Sequence, residues 1–182
     1  MTAKGHHPIL LPASLTDGVI RLDAHRLEDA ADDLAGEDEE IRRRFDGRRP
    51  STVAEAEDTI RRYNARRAAG GPEVTYALRL PSGTLIGGAE IRRPTAQQAD
   101  VGYWVFPAFR GRGYARRALV LLCPAAFDSI EDLVEISAHI EPDNAASLQT
   151  AAAAGFREAG SVVENGVARL RFIRARPACD RK

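Results

Sequence analysis

Arg110-Gly111-Arg112-Gly113-Tyr114-Ala115 is the segment whose residue types best suit it to holding an anion. Glycines at 111 and 113 let backbone approach a ligand without interference from a Cβ. Arg110 and Arg112 offer charge-assisted hydrogen bonds to a diphosphate. Upstream, Val101–Phe106 has the aromatic and β-branched alternation of a strand, broken at Pro107. Downstream, Ala115, Ala118, Leu119, Leu122 and Ala126 share one face of a helix starting near Arg112. A strand feeding a glycine-rich turn and then a helix presents outward N–H groups and about half a positive charge, a general device for phosphate. The dinucleotide fingerprint is excluded, because its third glycine would be at position 116, which is Arg116. The P-loop is excluded because Gly-Lys-Ser/Thr is absent. The pattern that remains is Arg-x-x-Gly-x-Ala. On spacing alone, a phosphate site and a turn that is glycine-rich for geometry are equally good readings.

The elements that must position this turn follow from periodicity and punctuation. Residues 1–16 are weakly patterned and read as an arm, 17–175 as a single domain and 176–182 as a tail. Asp17-Gly18 is a turn signal, and Val19, Ile20 and Leu22 begin a strand ending near Ala24. Leu27, Ala30, Ala31 and Leu34 form an apolar stripe in a helix over Arg26–Ala35. A short helix over Glu37–Phe45 has Ile41 and Phe45 as apolar contacts, and a loop follows to Pro50. Ser51 or Thr52 caps the next helix, with Glu55 in capping-box register, and Gly70-Gly71-Pro72 ends it near Ala69. Val74–Leu80 and Thr84–Arg92 flank the turn Pro81-Ser82-Gly83 as an antiparallel hairpin, and Pro94–Gln98 is a loop.

Pro124 interrupts the apolar helix and predicts a kink or an early end, at a cost of ~3 kcal/mol. Leu133–Ile140 is a strand, and Pro142-Asp143-Asn144 introduces a helix over Ala145–Ala154 closed by Gly155. Two last strands, Phe156–Val163 and Val167–Ile173, are joined by Asn165-Gly166. The order predicts an α/β (α+β) chain with a mixed, largely antiparallel central sheet of about seven strands flanked by helices.

The 182 residues carry 26 basic and 26 acidic side chains, which removes a whole-protein case for nucleic-acid binding. Arginines at 42–44, 61, 62, 66 and 67 are interleaved with acids and read as solvated helix faces. Cys123 and Cys179 give no disulfide framework and no metal spacing, and His6 and His7 stand without further ligands, so no metal is expected. No run approaches the ~18 apolar residues of a membrane span, and no signal-peptide pattern opens the chain, so a cytoplasmic protein is expected.

Arg110, Gly113 and Ala115 match Gln/Arg-x-x-Gly-x-Gly/Ala, and the segment resembles the acyl-coenzyme A signature of the GNAT N-acetyltransferase superfamily. The surrounding GYWVFPAFRGRGYA, the later Glu141-Pro142-Asp143-Asn144-Ala145-Ala146-Ser147 with Gly155-Phe156, and the early DGVIRLDAHRLEDA are similar to the branch that acetylates ribosomal-protein N-termini at alanine or serine. The similarity runs from about Asp17 to Ile173. It implies a V-shaped splay between two central strands. Backbone groups of Val105 and Phe106 would bond the pantetheine arm of acetyl-CoA, and a strand-end N–H would stabilise the thioester oxyanion. The N–H groups of Gly111, Arg112, Gly113, Tyr114 and Ala115, with the Arg110 side chain, would hold the pyrophosphate. Asn144 would reach the cofactor from the far strand; as a residue, it reads equally well as the cap of the helix at Ala145. A homodimer would be unremarkable.

The implied reaction is direct attack of a neutral amine on the thioester, which needs a base for the ammonium and an acid for the thiolate. Many superfamily members place a Tyr seven residues after the Asn, where this chain has Ala151. The ribosomal-protein branch has a Ser three residues after it, which Ser147 matches, so Ser147 is the candidate acid or relay. Glu90 is the candidate base, acting through water, and Asp100 the second choice. At pH 7 roughly 14% of a free α-amine is neutral, against roughly 0.04% of a lysine, so a site without a strong base suits an α-amine. A peptide N-terminus or a small amine, aminoglycosides included, is the expected acceptor, shaped by Arg42–Pro50 and the Pro94–Gln98 loop. The alternative is a coenzyme-binding or sensory module of the same fold without catalysis, which Ala151 favours.

Overall fold

The computed structural model describes residues 8–45, 50 and 52–178; positions 46–49, Ser51, His6, His7 and Cys179 lie outside the described residues. In chain order the elements are β1 (Leu15–Thr16), β2 (Arg21–Asp23), α1 (Asp29–Gly36), α2 (Glu39–Arg44), α3 (Val53–Ala68), β3 (Glu73–Arg79), β4 (Leu85–Arg92), β5 (Gln98–Val105), a 3₁₀ turn (Pro107–Phe109), α4 (Tyr114–Ser129), β6 (Glu135–Ile140), α5 (Ala145–Ala153), β7 (Arg157–Glu164) and β8 (Val167–Ala175). Local chemistry sets several boundaries. The Thr52 hydroxyl caps α3 by accepting from the Glu55 N–H at 3.2 Å. Gly155 ends α5 with φ +85°, and Asn165 and Gly166 turn the last hairpin with φ +50° and +79°. No helix among the described residues is long and apolar enough to cross a membrane.

The strands form one sheet in the order β1-β2-β3-β4-β5-β6-β8-β7. All neighbours are antiparallel except β5 and β6. That parallel pair is joined only at Gln98↔Glu135, Ala99↔Ile136 and Asp100↔Ser137. Beyond these pairs β5 stays with β4 as far as Gly87↔Val105, while β6 stays with β8 as far as Ile140↔Leu170. The two strands therefore part and open the V. One sheet face packs on α4 through Ala118, Leu119, Leu122, Ala126 and Phe127, against Ile91, Val101 and Ile136. On the other face Ile41, Trp104 and Phe106 form a smaller cluster. There a Cβ on Gly88 would lie 2.2 Å from the Trp104 ring, so only glycine fits beneath it.

The mixed, largely antiparallel sheet of about seven strands is borne out, with eight strands among the described residues because Leu15–Thr16 pairs with β2. Local details differ from expectation. Residues 8–16 are packed, not a loose arm: Ile9 is 1% exposed in the main core, and its N–H donates to the Gly71 carbonyl. Of the kink or early end expected at Pro124, the early end is excluded, since α4 continues to Ser129. The carbonyl deprived of its N–H partner belongs to Val120, which is 44% exposed, so water can satisfy it. In α1 the predicted stripe fails: Leu27 precedes the helix and is exposed, while Asp29, Ala30 and Asp33 are buried.

Arg79 explains that rotation. Its guanidinium, 3% exposed, grips both oxygens of Asp29 at 2.8 and 2.5 Å and Asp23 at 2.8 Å. Asp29 in turn accepts the Arg26 N–H at 2.6 Å. One cation thus ties β2, β3 and the start of α1. Burial pushes the Asp29 carboxyl up, but the Arg79 and backbone bonds outweigh it and hold it below the usual carboxylate range. Its contribution is complete above the unfolded value of about 3.9 and is lost as pH falls through the lower folded value. Arg79→Leu, which strands both carboxylates, is expected to cost about 3–5 kcal/mol, read by chemical denaturation at pH 7.

Candidate active site

The splay opens a cleft of about 450 Å³ lined by the β5 end, the 110–116 turn, α2 and α5. A second cavity of about 130 Å³ lies beyond it, lined by Glu90, Asp100, Gly102, His139, Glu164 and Arg169 among others. Arg44, Phe45, Tyr103, Asn144 and Ser147 line both, so the two meet where the strands part.

In the turn, Gly111 and Gly113 have φ +74° and +75°, and Gly113 caps α4 in the left-handed region. A Cβ at either would meet no atom within 4 Å, so glycine is needed here for conformation and not for space. Tyr114, Ala115 and Arg116 supply first-turn N–H groups that have no intrahelical partner. This end of the cleft is suited to a diphosphate. Arg112 is exposed, with its Cζ 5.9 Å above the Phe109 ring. Arg116, at the position of the missing third glycine, lines the cleft and donates to the Ala153 carbonyl at 2.9 Å.

Arg110 joins the turn to α2. Its guanidinium makes a two-pronged pair with Asp38 at 2.7 and 3.0 Å, reaches Glu40 at 3.1 Å, and donates through Nε to the Val105 carbonyl. These bonds clamp the turn to α2. Asp38 also accepts the Ile41 N–H at 2.9 Å as the α2 cap. Burial raises the Asp38 carboxyl, but the Arg110 and Ile41 bonds prevail and hold it below its ordinary value.

Peptide direction along β5 is fixed at both ends. The Gln97 carbonyl accepts from Val134 and Glu135 on the β6 side, while the Phe106 N–H donates to Ile86 on the β4 side. By strand alternation, Tyr103 and Val105 turn their peptide groups into the splay and Phe106 does not. The Phe106 ring is 4% exposed, and a Cβ on Gly36 would lie 2.4 Å from it. The Phe106 ring thus packs in the core, and the peptide groups facing the splay are those of Tyr103 and Val105.

On α5, the Asn144 side chain caps the helix by accepting the Ser147 N–H at 3.1 Å, and both residues line both cavities. The Tyr103 hydroxyl crosses the splay to donate to the Ser147 carbonyl at 3.2 Å. Burial pushes that phenol up to about 12, so it remains a donor. Ala151 is fully buried in the main core. Position 151 thus faces packing, and Ser147 is the α5 side chain at the junction.

In the smaller cavity, Asp100 accepts from the Ser137 hydroxyl at 2.5 Å, and Arg92 Nε is 3.9 Å from Glu90. His139 Nδ1 lies 2.7 Å from Glu164 Oε1, and Arg169 donates to the other Glu164 oxygen at 2.8 Å. Arg44 binds Glu141 at 2.5 Å and Asp143 at 2.7 Å, joining α2 to the β6–α5 loop. The expected contribution of residues 42–50 is carried by Arg44 and Phe45, whereas residues 94–98 line neither cavity. Sequence reasoning passed over His139, Glu164 and Arg169. Only the alternation of β6 hinted at His139, because its partner is 25 positions away. Arg110→Ala, which frees the α2 cap, is expected to accelerate amide exchange at Ile41 several-fold, equivalent to about 0.5–1 kcal/mol, without altering α5; hydrogen–deuterium exchange checks this.

A family model described as Acetyltransferase (GNAT) domain matches residues 20–157. No curated protein matches the sequence. Among solved structures, Mycobacterium smegmatis RimJ in complex with CoA-disulfide is 24% identical, with 93% of this chain and 86% of that chain covered and a TM-score of 0.71. Ribosomal-protein-S5-alanine acetyltransferase from Vibrio fischeri is 16% identical, with coverage of 92% and 98% and a TM-score of 0.74. The microcin C7 self-immunity acetyltransferase MccE, in complex with acetyl-CoA and AMP, is 18% identical, with coverage of 92% and 98% and a TM-score of 0.75. At these identities the likeness is one of fold, and it agrees with the splayed sheet and the glycine turn. With the family pattern matched over most of its length, the chain belongs to the GNAT acetyltransferase family.

Proposed function

We propose that this protein moves an acetyl group from acetyl-CoA to a primary amine, with a protein N-terminal α-amine as the acceptor class, by direct attack. The observation that carries this reading is the junction of the two cavities at Tyr103, Asn144 and Ser147. One cavity has the N–H-rich turn suited to pyrophosphate; the other is lined by the carboxylates Glu90 and Asp100, suited to an ammonium. RimJ with CoA-disulfide and MccE with acetyl-CoA, both of this fold, support acetyl-CoA as the donor.

In this reading the N–H groups of residues 111–115 hold the pyrophosphate, and the peptide groups of Tyr103 and Val105 guide the pantetheine arm. Ser147 hydrogen-bonds the departing thiolate, which takes up the proton shed by the newly acylated nitrogen. Glu90 and Asp100 hold the incoming ammonium close to the thioester. The wall contributed by Arg44 and Phe45 sets what can accompany the amine.

Thiol release from acetyl-CoA in the presence of Ala- or Ser-initiated peptides, small amines and aminoglycosides tests this. Release with α-amine peptides roughly a few hundredfold above lysine side chains is expected, following the difference in neutral fraction. Tight coenzyme binding without release for every acceptor would establish the non-catalytic module that the core-packed Ala151 favours. Ser147→Ala is expected to lower kcat at least tenfold with coenzyme A affinity unchanged in calorimetry. Glu90→Gln is expected to raise KM for the amine about tenfold, with a smaller change in kcat. An unchanged KM removes Glu90 from the amine site.

A further inference from the structure

His139 and Glu164 form a pair that nothing in the family pattern of this sequence pointed to. His139 sits on β6, the strand that parts from β5, and its side chain lines the smaller cavity with Glu90, Tyr103 and Ser147. Glu164, at the end of β7, reaches back across β8 to its Nδ1 at 2.7 Å. Arg169 fixes the second Glu164 oxygen at 2.8 Å. Burial raises that carboxyl, but the bonds from Arg169 and His139 outweigh it and keep it below the usual glutamate range, hence ionised. An ionised carboxylate is an acceptor only, so the imidazole must present a proton at Nδ1. A neutral ring then carries its lone pair on Nε2.

The cations around the pair are already matched by carboxylates. Arg171, opposite His139 in register, is paired with Glu135; Arg169 is held by Glu164; Arg44 from α2 is taken by Glu141 and Asp143. Glu90 from β4 and Asp100 from β5 complete the same small cavity as carboxylates. As a base for an α-ammonium, an ordinary imidazole is about a hundredfold more basic than an ordinary carboxylate. Glu90 is therefore better suited to holding the ammonium than to deprotonating it.

Resting on the acetyl-transfer reading above, we infer that His139 is the catalytic base for the acceptor amine and that Glu164 is its positioning residue. The ammonium gives one proton to Nε2 and leaves an imidazolium paired with Glu164. The freed nitrogen lone pair forms the C–N bond to the acetyl carbon, the C–S bond breaks, and the thiolate leaves with its electron pair. The second nitrogen proton goes to the thiolate, and the imidazolium returns its proton to solvent.

The test uses the full chain with acetyl-CoA and an Ala-initiated peptide. His139→Gln is expected to lower kcat by about 10²–10³, to remove the ascending limb of kcat against pH, and to leave coenzyme A affinity unchanged. Glu164→Gln is expected to lower kcat about tenfold with coenzyme A affinity unchanged, and Glu164→Asp to recover part of that loss, as a positioning role requires. Nitrogen-15 spectra of the parent should show His139 as the Nδ1–H tautomer, a readout independent of whether the variants fold. A His139→Gln rate within threefold of the parent, or an Nε2–H tautomer, overturns the assignment while leaving acetyl transfer intact. A parent that releases no thiol with any amine overturns the acetyl-transfer reading and this assignment with it.

Discussion

The molecule depends on a hydrogen-bonded seam that is deliberately short. Three register pairs join β5 to β6, and these are the only parallel contacts in the sheet. On either side lies an antiparallel half-sheet, β1 to β5 on one hand and β6, β8 and β7 on the other. A longer seam would close the sheet and satisfy every peptide group internally. A shorter one would let the halves drift. At three pairs, the strands are held together at one end and released at the other. The peptide groups of Tyr103 and Val105 are then turned toward a cleft instead of a neighbouring strand. The Val105 carbonyl is matched by Arg110 Nε, and the strand edge that remains on this side of the gap is open to a ligand with complementary groups.

Helix α2 straps the open end. Its sequence, Glu-Glu-Ile-Arg-Arg-Arg, carries one apolar residue, Ile41, which is buried against Trp104 and Phe106. Its N-terminal end is held to the β5–α4 turn through Asp38, Glu40 and Arg110. Its C-terminal arginines are held to Glu141 and Asp143 on the β6–α5 loop. Exposed ion pairs contribute little one at a time. As a network spanning both lips of the V they fix the position of the strap, and the Phe45 ring meets Trp104 edge-on at 5.3 Å beneath it. Gly88 completes this arrangement, since the Trp104 ring occupies the volume a side chain would need.

Two local patterns meet the same kind of partner. Arg110 matches a cofactor signature, and Asp38 and Glu40 lie within its reach and carry the opposite charge. Leu27 had helical spacing, yet the face of α1 that turns inward is chosen by the Asp29–Arg79 pair. In both cases the partner is charged and distant in sequence. Asp38 is 72 residues from Arg110 and Asp29 is 50 residues from Arg79.

The elements were legible because their signals are local. Short strand-like runs between turn signals gave β3 to β8, Thr52 and Gly155 marked helix ends, and Asn165-Gly166 marked a hairpin; each depends on backbone conformations that a few adjacent residues dictate. The glycine turn was legible for the same reason, since positive φ at 111 and 113 is a property of those residues. The acceptor side was not. His139, Glu164 and Arg169 belong to three strands, and the sheet order β6-β8-β7 is what brings them to one cavity. Tyr103 reached Ser147 only because β5 and β6 part between them. By itself the sequence determined which segments become strand, helix or turn, the paired-glycine turn at 111–113 included. Only the tertiary structure decided which titratable groups face one another, because strand order and splay are long-range pairings that no short window of residues contains.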